Sequence, residues 1–308
     1  MATCPSVEGK SNYENANQMA TSFYRVRGLY LDINENVNTL TSILAPFSTQ
    51  DLLSFAPINR RICSLVTRLL RQRLLKAAPL PDNKLILECY HPSDQLYTPY
   101  LACRYQGIVA QDGQPISEDT PELSDLRALY ASYKPVFAPE NRSIKRSRRR
   151  PTEAQPSDDV EDDTATQDVN LDDGEMFSQL CAVTNLVKEG PRSGLFISHV
   201  NIVDGVIRVF RKWLAKMASR QDKSQSDSEN ILWIDTHNNV GIRFSVAPAA
   251  SENMPLISGP DDDPPVHYKL VYEELLVRAS TLLLAVEQSA VQEVGNSGKT
   301  LVIHGAAM

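Results

Sequence analysis

Several features that would fix a class at once are missing from this chain. No apolar run approaches the roughly 20 residues that span a bilayer. The first residues, MATCPSVEGKSNYENANQ, have no basic start followed by an apolar stretch, so no secretory leader is expected. Excess positive charge is missing too. Lys and Arg number 31 against 38 Asp and Glu, a net charge of −7, which argues against wrapping nucleic acid through bulk charge. Cysteine is sparse and odd in number: Cys4, Cys63, Cys89, Cys103 and Cys181 are scattered and not paired in spacing. That usage suits a reducing compartment, where thiols stay free and pack as small hydrophobes. A nuclear or cytoplasmic protein without a membrane or nucleic-acid partner is the expectation.

The chemistry-bearing patterns are equally thin. There are no paired carboxylates, no nucleophile elbow and no glycine-rich dinucleotide turn. Gly298-Lys299-Thr300 resembles the end of a phosphate loop. The pattern needs a glycine five residues before Gly298, and that position holds Glu293. Cys89, His91 and Cys103 are soft ligands near one another, but their spacing matches no common zinc pattern. Packed core or loop positions are the better reading. The expectation is therefore a non-catalytic chain with no cofactor, no metal and no catalytic residues.

What is present is a length of 308 residues with 42% hydrophobic and 7% aromatic content, enough for two folded units. Residues 1–30 are polar and without period, and are expected to be a mobile tail. Helical signal begins near Asn36. Val37, Leu40, Ile43 and Leu44 recur at helical spacing, and Pro46 stops that first helix. Ser48-Thr-Gln-Asp51 reads as a cap for a second helix through Leu52, Leu53 and Phe55, which breaks at Pro57. A third helix from Ile58 carries Ile62, Leu65, Val66, Leu69 and Leu74 as an apolar stripe to Ala78, before Pro79 and Pro81. Its Arg60, Arg61, Arg68, Arg71, Arg73 and Lys76 read as a solvated face rather than a DNA-reading helix.

Beyond Asp82 the texture changes. Leu85–Tyr90 and Tyr100–Tyr105 read as strands, and Pro121–Tyr133 as a helix. Residues 139–174 are rich in Pro, Ser and Asp, too poor in large apolar side chains to offset the entropy of ordering, and are expected to be a disordered insert. Further strands are expected at Leu180–Val187, Gly194–Ile202, Ile231–Asp235, Gly241–Val246 and Val266–Tyr272, with helices at Val206–Met217 and from Glu273 to about Ala290. The fold class expected is α+β: three small N-terminal helices over 37–78, then a mixed, mainly antiparallel β domain with a few helices. That domain is assembled from residues 84–138 and 176–290, with a tail over 291–308.

Within the insert, Lys145-Arg146-Ser-Arg148-Arg149-Arg150 is a basic hexamer of the kind read by nuclear import receptors. Asp158, Asp159, Glu161, Asp162 and Asp163 lie close behind it, so internal charge compensation is the alternative. Phosphorylation of Ser143 or Ser147 would cut the local positive charge.

The order TLTSILAPFSTQDLLSFAPINRRICSLVTRLL resembles an F-box: a short helix ending in Ile-Leu, a Ser-Thr turn, an Asp-Leu-Leu helix and a helix with paired arginines. The next stretch, LLKAAPLPDNKLILECYHPSDQLYTPYLACRY, is similar to the segment C-terminal to the F-box in a fungal group of F-box domain proteins. F-boxes usually open with Leu-Pro, whereas the corresponding stretch here is Leu31-Asp-Ile-Asn-Glu-Asn36-Val. The resemblance implies the substrate-recognition subunit of an SCF-type E3 ubiquitin ligase, with a Skp-type adaptor and cullin as partners and an unknown protein substrate. It also implies Leu40, Ile43, Leu44, Phe47, Leu52 and Leu53 as the adaptor-docking set. The alternative is a stand-alone protein- or glycan-binding module without a ligase role, since Gly194–Ile202 faintly echoes the last strand of a lectin-like β-sandwich.

Overall fold

The computed structural model describes residues 37–95, 98–110, 123–138, 164–190, 195–220, 227–249, 265–295 and 302–303. They fall into two compact units, Met1–Lys76 with Ser117–Arg127, and Ala77–Ile116 with Ala128–Met308. The whole is α+β, with five α-helices and ten strands among the described residues.

The helical unit contains α1 (Val37–Leu44), α2 (Thr49–Phe55) and most of α3 (Arg60–Ala77). Each boundary has a local cause. Pro46 follows α1, and Ser48 caps α2 by accepting from the Asp51 amide while its hydroxyl donates to the Asp51 carboxylate at 2.7 Å. Asn59 starts α3, its side-chain oxygen accepting from the Arg61 amide at 3.0 Å. Leu52, Ile62, Leu65, Val66, Leu69, Leu70 and Leu74 are buried, as the apolar stripe requires.

The second unit is built on one antiparallel sheet. Its strands are β1 (Lys84–Tyr90), β2 (Leu101–Ala110), β3 (Leu129–Phe137), β4 (Thr166–Leu171), β5 (Phe177–Glu189), β6 (Leu195–Phe210), β7 (Ile231–Trp233), β8 (Val240–Pro248), β9 (Val266–Arg278) and β10 (Val302–Ile303). The order is β10-β6-β5-β1-β2-β3-β9-β8-β7, with β4 also paired to β9. β3 and β4 share one side of β9, β3 along 275–278 and β4 along 266–271.

The sheet curls so that its two ends meet. A Cβ on Gly205, in β6 near one end, would lie 2.8 Å from both the side chain and the carbonyl of Ile234, just past β7 at the other end. Helix α4 (Arg211–Ala218) packs on both β6 and β8. Helix α5 (Ala279–Gly295), about 25 Å long from its 17 residues, packs on β3, β5, β6 and β9 with its other face exposed at Leu284 and Val291. Near its start Thr281 reaches Asn239 in the β7–β8 turn at 3.2 Å, and towards its end Ser289 meets Ser198 of β6 at 2.6 Å.

Leu85, Leu87, Tyr133, Leu180, Leu186, Ile207, Phe244, Leu275 and Leu282 therefore join one continuous core. A smaller cluster of Tyr130, Ile231 and Leu276, backed by Trp233, lies on the opposite face of the sheet. A polar row shares that face: Ser132 donates to Glu274 and lies 3.3 Å from the Gln106 side-chain oxygen, and Glu274 pairs with Arg243 at 2.7 Å.

Five expected boundaries are corrected. The helix expected at Pro121–Tyr133 is, within the described residues, a short 3-10 turn (Asp125–Ala128) followed by β3, whose ladders to β2 and β9 outweigh local helical propensity. The helix expected at Val206–Met217 begins only at Arg211. Residues 206–210 end β6, with Ile207 and Val209 buried and Val206 and Phe210 exposed. The helix expected from Glu273 begins at Ala279, because β9 continues to Arg278. Residues 166–171, expected inside a disordered insert, form β4, with Val169 and Leu171 in the core. Residues 164–165 and 172–174 of that insert are described as well, Ala165 in the core and 172–174 in the turn after β4, whereas 139–163 and the tail over 1–30 lie outside the described residues. Residues 291–295 of the expected C-terminal tail belong to α5 and 302–303 form β10.

Candidate docking surfaces

Two surfaces stand out, one on each unit. In the helical unit the α1–α2 turn is fixed by a residue from α3. Arg73 donates through Nη2 to the carbonyls of Ala45 at 2.8 Å and Phe47 at 2.6 Å, and through Nη1 to Thr49 Oγ1 at 3.4 Å. The planar fork of a guanidinium suits several acceptors presented at once. Phe47 is further held edge-to-face against Phe55, with ring centroids 5.4 Å apart.

The six residues of the expected docking set do not share one environment. Leu52 is fully buried and Leu44 is buried, so both stabilise the helical unit. Leu40, Ile43 and Phe47 are half-buried, and Leu53 is 44% exposed. An exposed leucine one residue from a fully buried one follows from the helical period, since adjacent positions point about 100° apart. Periodicity alone places Arg73 on a solvated face. Its role depends on partners more than twenty residues away, which spacing along α3 cannot reveal.

On the sheet unit, an open groove of about 470 Å³ is lined by His91, Pro92, Asn170, Glu175, Met176, Phe177, Ser178 and Gln179. Its wall is the turn from β4 to β5. The Glu175 amide donates to the Asp172 carbonyl at 3.1 Å, and Gly174 at φ +72° supplies the left-handed position that turn needs. Arg211, the first residue of α4, locks the turn by donating to the carbonyls of Glu175 at 2.8 Å and Asp172 at 2.7 Å. On the opposite side His91 accepts from the Ser93 amide and caps a short 3-10 turn.

The rim is apolar and unusually open. Met176 is 53% exposed, and Phe177 packs against the exposed Phe210 directly opposite it, with ring centroids 5.6 Å apart. The Arg208 guanidinium lies 5.5 Å from the Phe177 ring centre. Composition hides this surface, because the Asp-rich turn has the texture of the expected insert. The alternation in VIRVF, which turns Phe210 outward, is the signal that could have found it.

The soft-ligand set Cys89, His91 and Cys103 does not converge. Cys89 faces the core, where burial pushes its thiol up to about 12, and burial likewise raises the Cys103 thiol. Among the described residues no group of three His, Cys, Asp or Glu side chains is arranged to hold a metal. Among the same residues no helix is long and apolar enough to cross a membrane. Lys145, Arg146, Arg148, Arg149 and Arg150 lie outside the described residues. No protein-family model, curated protein or solved structure matches this chain.

Proposed function

We propose that this chain is a non-catalytic substrate-recognition subunit of an SCF-type ubiquitin ligase. In this reading α1 to α3 form an F-box that docks on a Skp-type adaptor, with a cullin beyond it, and the sheet unit selects a protein substrate. The ligase chemistry resides elsewhere in the complex. The chain contributes proximity, holding a substrate lysine near the charged ubiquitin carrier.

One observation carries most of the weight. Around the turn that the F-box resemblance marks, Phe47 is held in place by Arg73 and Phe55 while Leu53 remains exposed. A short helical unit that leaves large apolar side chains accessible on a fixed turn suits docking into a partner's pocket. The accessible members, Leu40, Ile43, Phe47 and Leu53, are then the contact residues, and Leu44 and Leu52 support them from within. Import into the nucleus through Lys145–Arg150 is part of the same proposal. The lectin-like alternative gains nothing from the strand order, which is one continuous antiparallel path rather than two facing sheets.

The test is co-purification of the full chain with a Skp-type adaptor, alongside a Leu53→Asp variant. Retention of the adaptor by the parent chain and its loss from the variant are expected.

A further inference from the structure

We propose that the groove between His91 and Phe177 is the substrate-binding site, and that its ligand is a basic peptide segment carrying a large apolar side chain. This rests on the substrate-recognition reading above and names the class of substrate.

The rim supplies the apolar half of the match. Met176 and Phe177 sit at the mouth of a space of about 470 Å³, room for one or two side chains, with Pro92 across from them. Exposed methionine and phenylalanine side by side are costly to leave in water and are typical anchors of peptide contacts. Their position is not a loose end of chain, because Arg211 fixes the preceding turn through two carbonyls and its own amide donates to the Met176 carbonyl at 2.9 Å. A pre-set turn limits the ordering cost of binding.

Charge decides between an acidic and a basic partner. Glu175 lines the groove, Asp172 and Asp173 lie on the same turn, and Asp94 closes the short turn that begins at Pro92. Against these four carboxylates stands the Arg211 guanidinium, which is turned into the loop carbonyls. Arg208 lies over the Phe177 ring, so four carboxylates stand against two guanidiniums. The groove mouth is therefore net acidic, and an acidic segment would meet like charge there. Asn170 and Gln179 offer amide groups to a peptide backbone along the wall.

The experiment uses the full chain and fluorescein-labelled octapeptides of matched length, in which a central Leu or Phe is flanked by Arg and Lys, by Glu, or by Ser. Anisotropy is read at 0.1 M salt, with neutral oligosaccharides as a separate arm. Binding of the basic set at least tenfold tighter than that of the Glu set is expected, with a tenfold loss in Met176→Ser and in Asp173→Lys. Both variants should keep the parent's thermal midpoint and its adaptor co-purification, so failure of the groove and failure of the adaptor reading are distinguishable. Equal binding of basic and acidic peptides, binding of no peptide at 1 mM, affinity unchanged by the variants, or binding of oligosaccharide alone overturns it.

Discussion

Arg73 in α3 donates to the carbonyl of Phe47 at 2.6 Å, which ties the third helix to the turn between the first two. The same side chain reaches Ala45 and Thr49, so three acceptors depend on one guanidinium. Arg73→Met keeps the apolar stem and removes the fork, leaving these acceptors to water. A loss of about 2 kcal/mol in the helical unit is expected, since hydrogen bonds to charged groups are worth roughly that much. Hydrogen exchange should accelerate over 44–56 while the sheet amides hold their protection, and Arg73→Lys should restore only part.

Gly205 marks where the sheet's ends meet. A methyl group there would lie 2.8 Å from the Ile234 carbonyl oxygen, which is backbone and cannot swing aside. Gly205→Ala is expected to destabilise the sheet unit by about 1–3 kcal/mol, the usual cost of overpacking. A chemical-denaturation midpoint checks it. An unchanged midpoint would mean that the ends of the sheet are further apart than described.

The Arg243–Glu274 pair lies mostly out of water, with side-chain exposures of 21% and 13%. Glu274→Leu strands the arginine and removes the acceptor of Ser132, at an expected cost of about 3 kcal/mol. Pairing it with Arg243→Met removes both charges, and the double variant should lose less than the single. Equilibrium unfolding of the three proteins gives the comparison.

Cys89 links stability to alkaline pH. Its thiol is raised from 9.0 to about 12, chiefly by burial. A neutral thiol favoured in the folded state has its full stabilising effect below the unfolded value. Above pH 9 the unfolded chain loses the proton first, so this contribution falls as pH rises from 9 towards 12. Cys89→Ala should show a shallower alkaline decline than the parent. In the parent, Cys89 should resist iodoacetamide at pH 8 until denaturant is added.

The helical unit is legible in the sequence because its signals are local. Proline stops, the Ser48–Asp51 cap and apolar spacing each act within a few residues. The strands are legible as apolar segments, but their lengths are not. VIRVF can be read with either period, and only pairing of Val206–Phe210 with Phe177–Cys181 decides for a strand. β4 is hidden for a different reason. TQDVNL has only two large apolar residues, yet both are buried because β9 supplies a ladder for the whole segment. Of the docking set, periodicity gives the apolar positions but not which of them the unit keeps for itself. Leu52 and Leu53 differ by one step along α2 and by the whole range from buried to exposed.

The most direct measurement is the affinity of the full chain for a purified Skp-type adaptor, by calorimetry, with a Leu-Pro-containing F-box protein as the positive control. Saturable one-to-one binding is expected, weakened at least about 30-fold, or roughly 2 kcal/mol, by Leu53→Asp without a change in thermal midpoint. Absence of binding by the parent chain, while the control binds, would contradict the adaptor role.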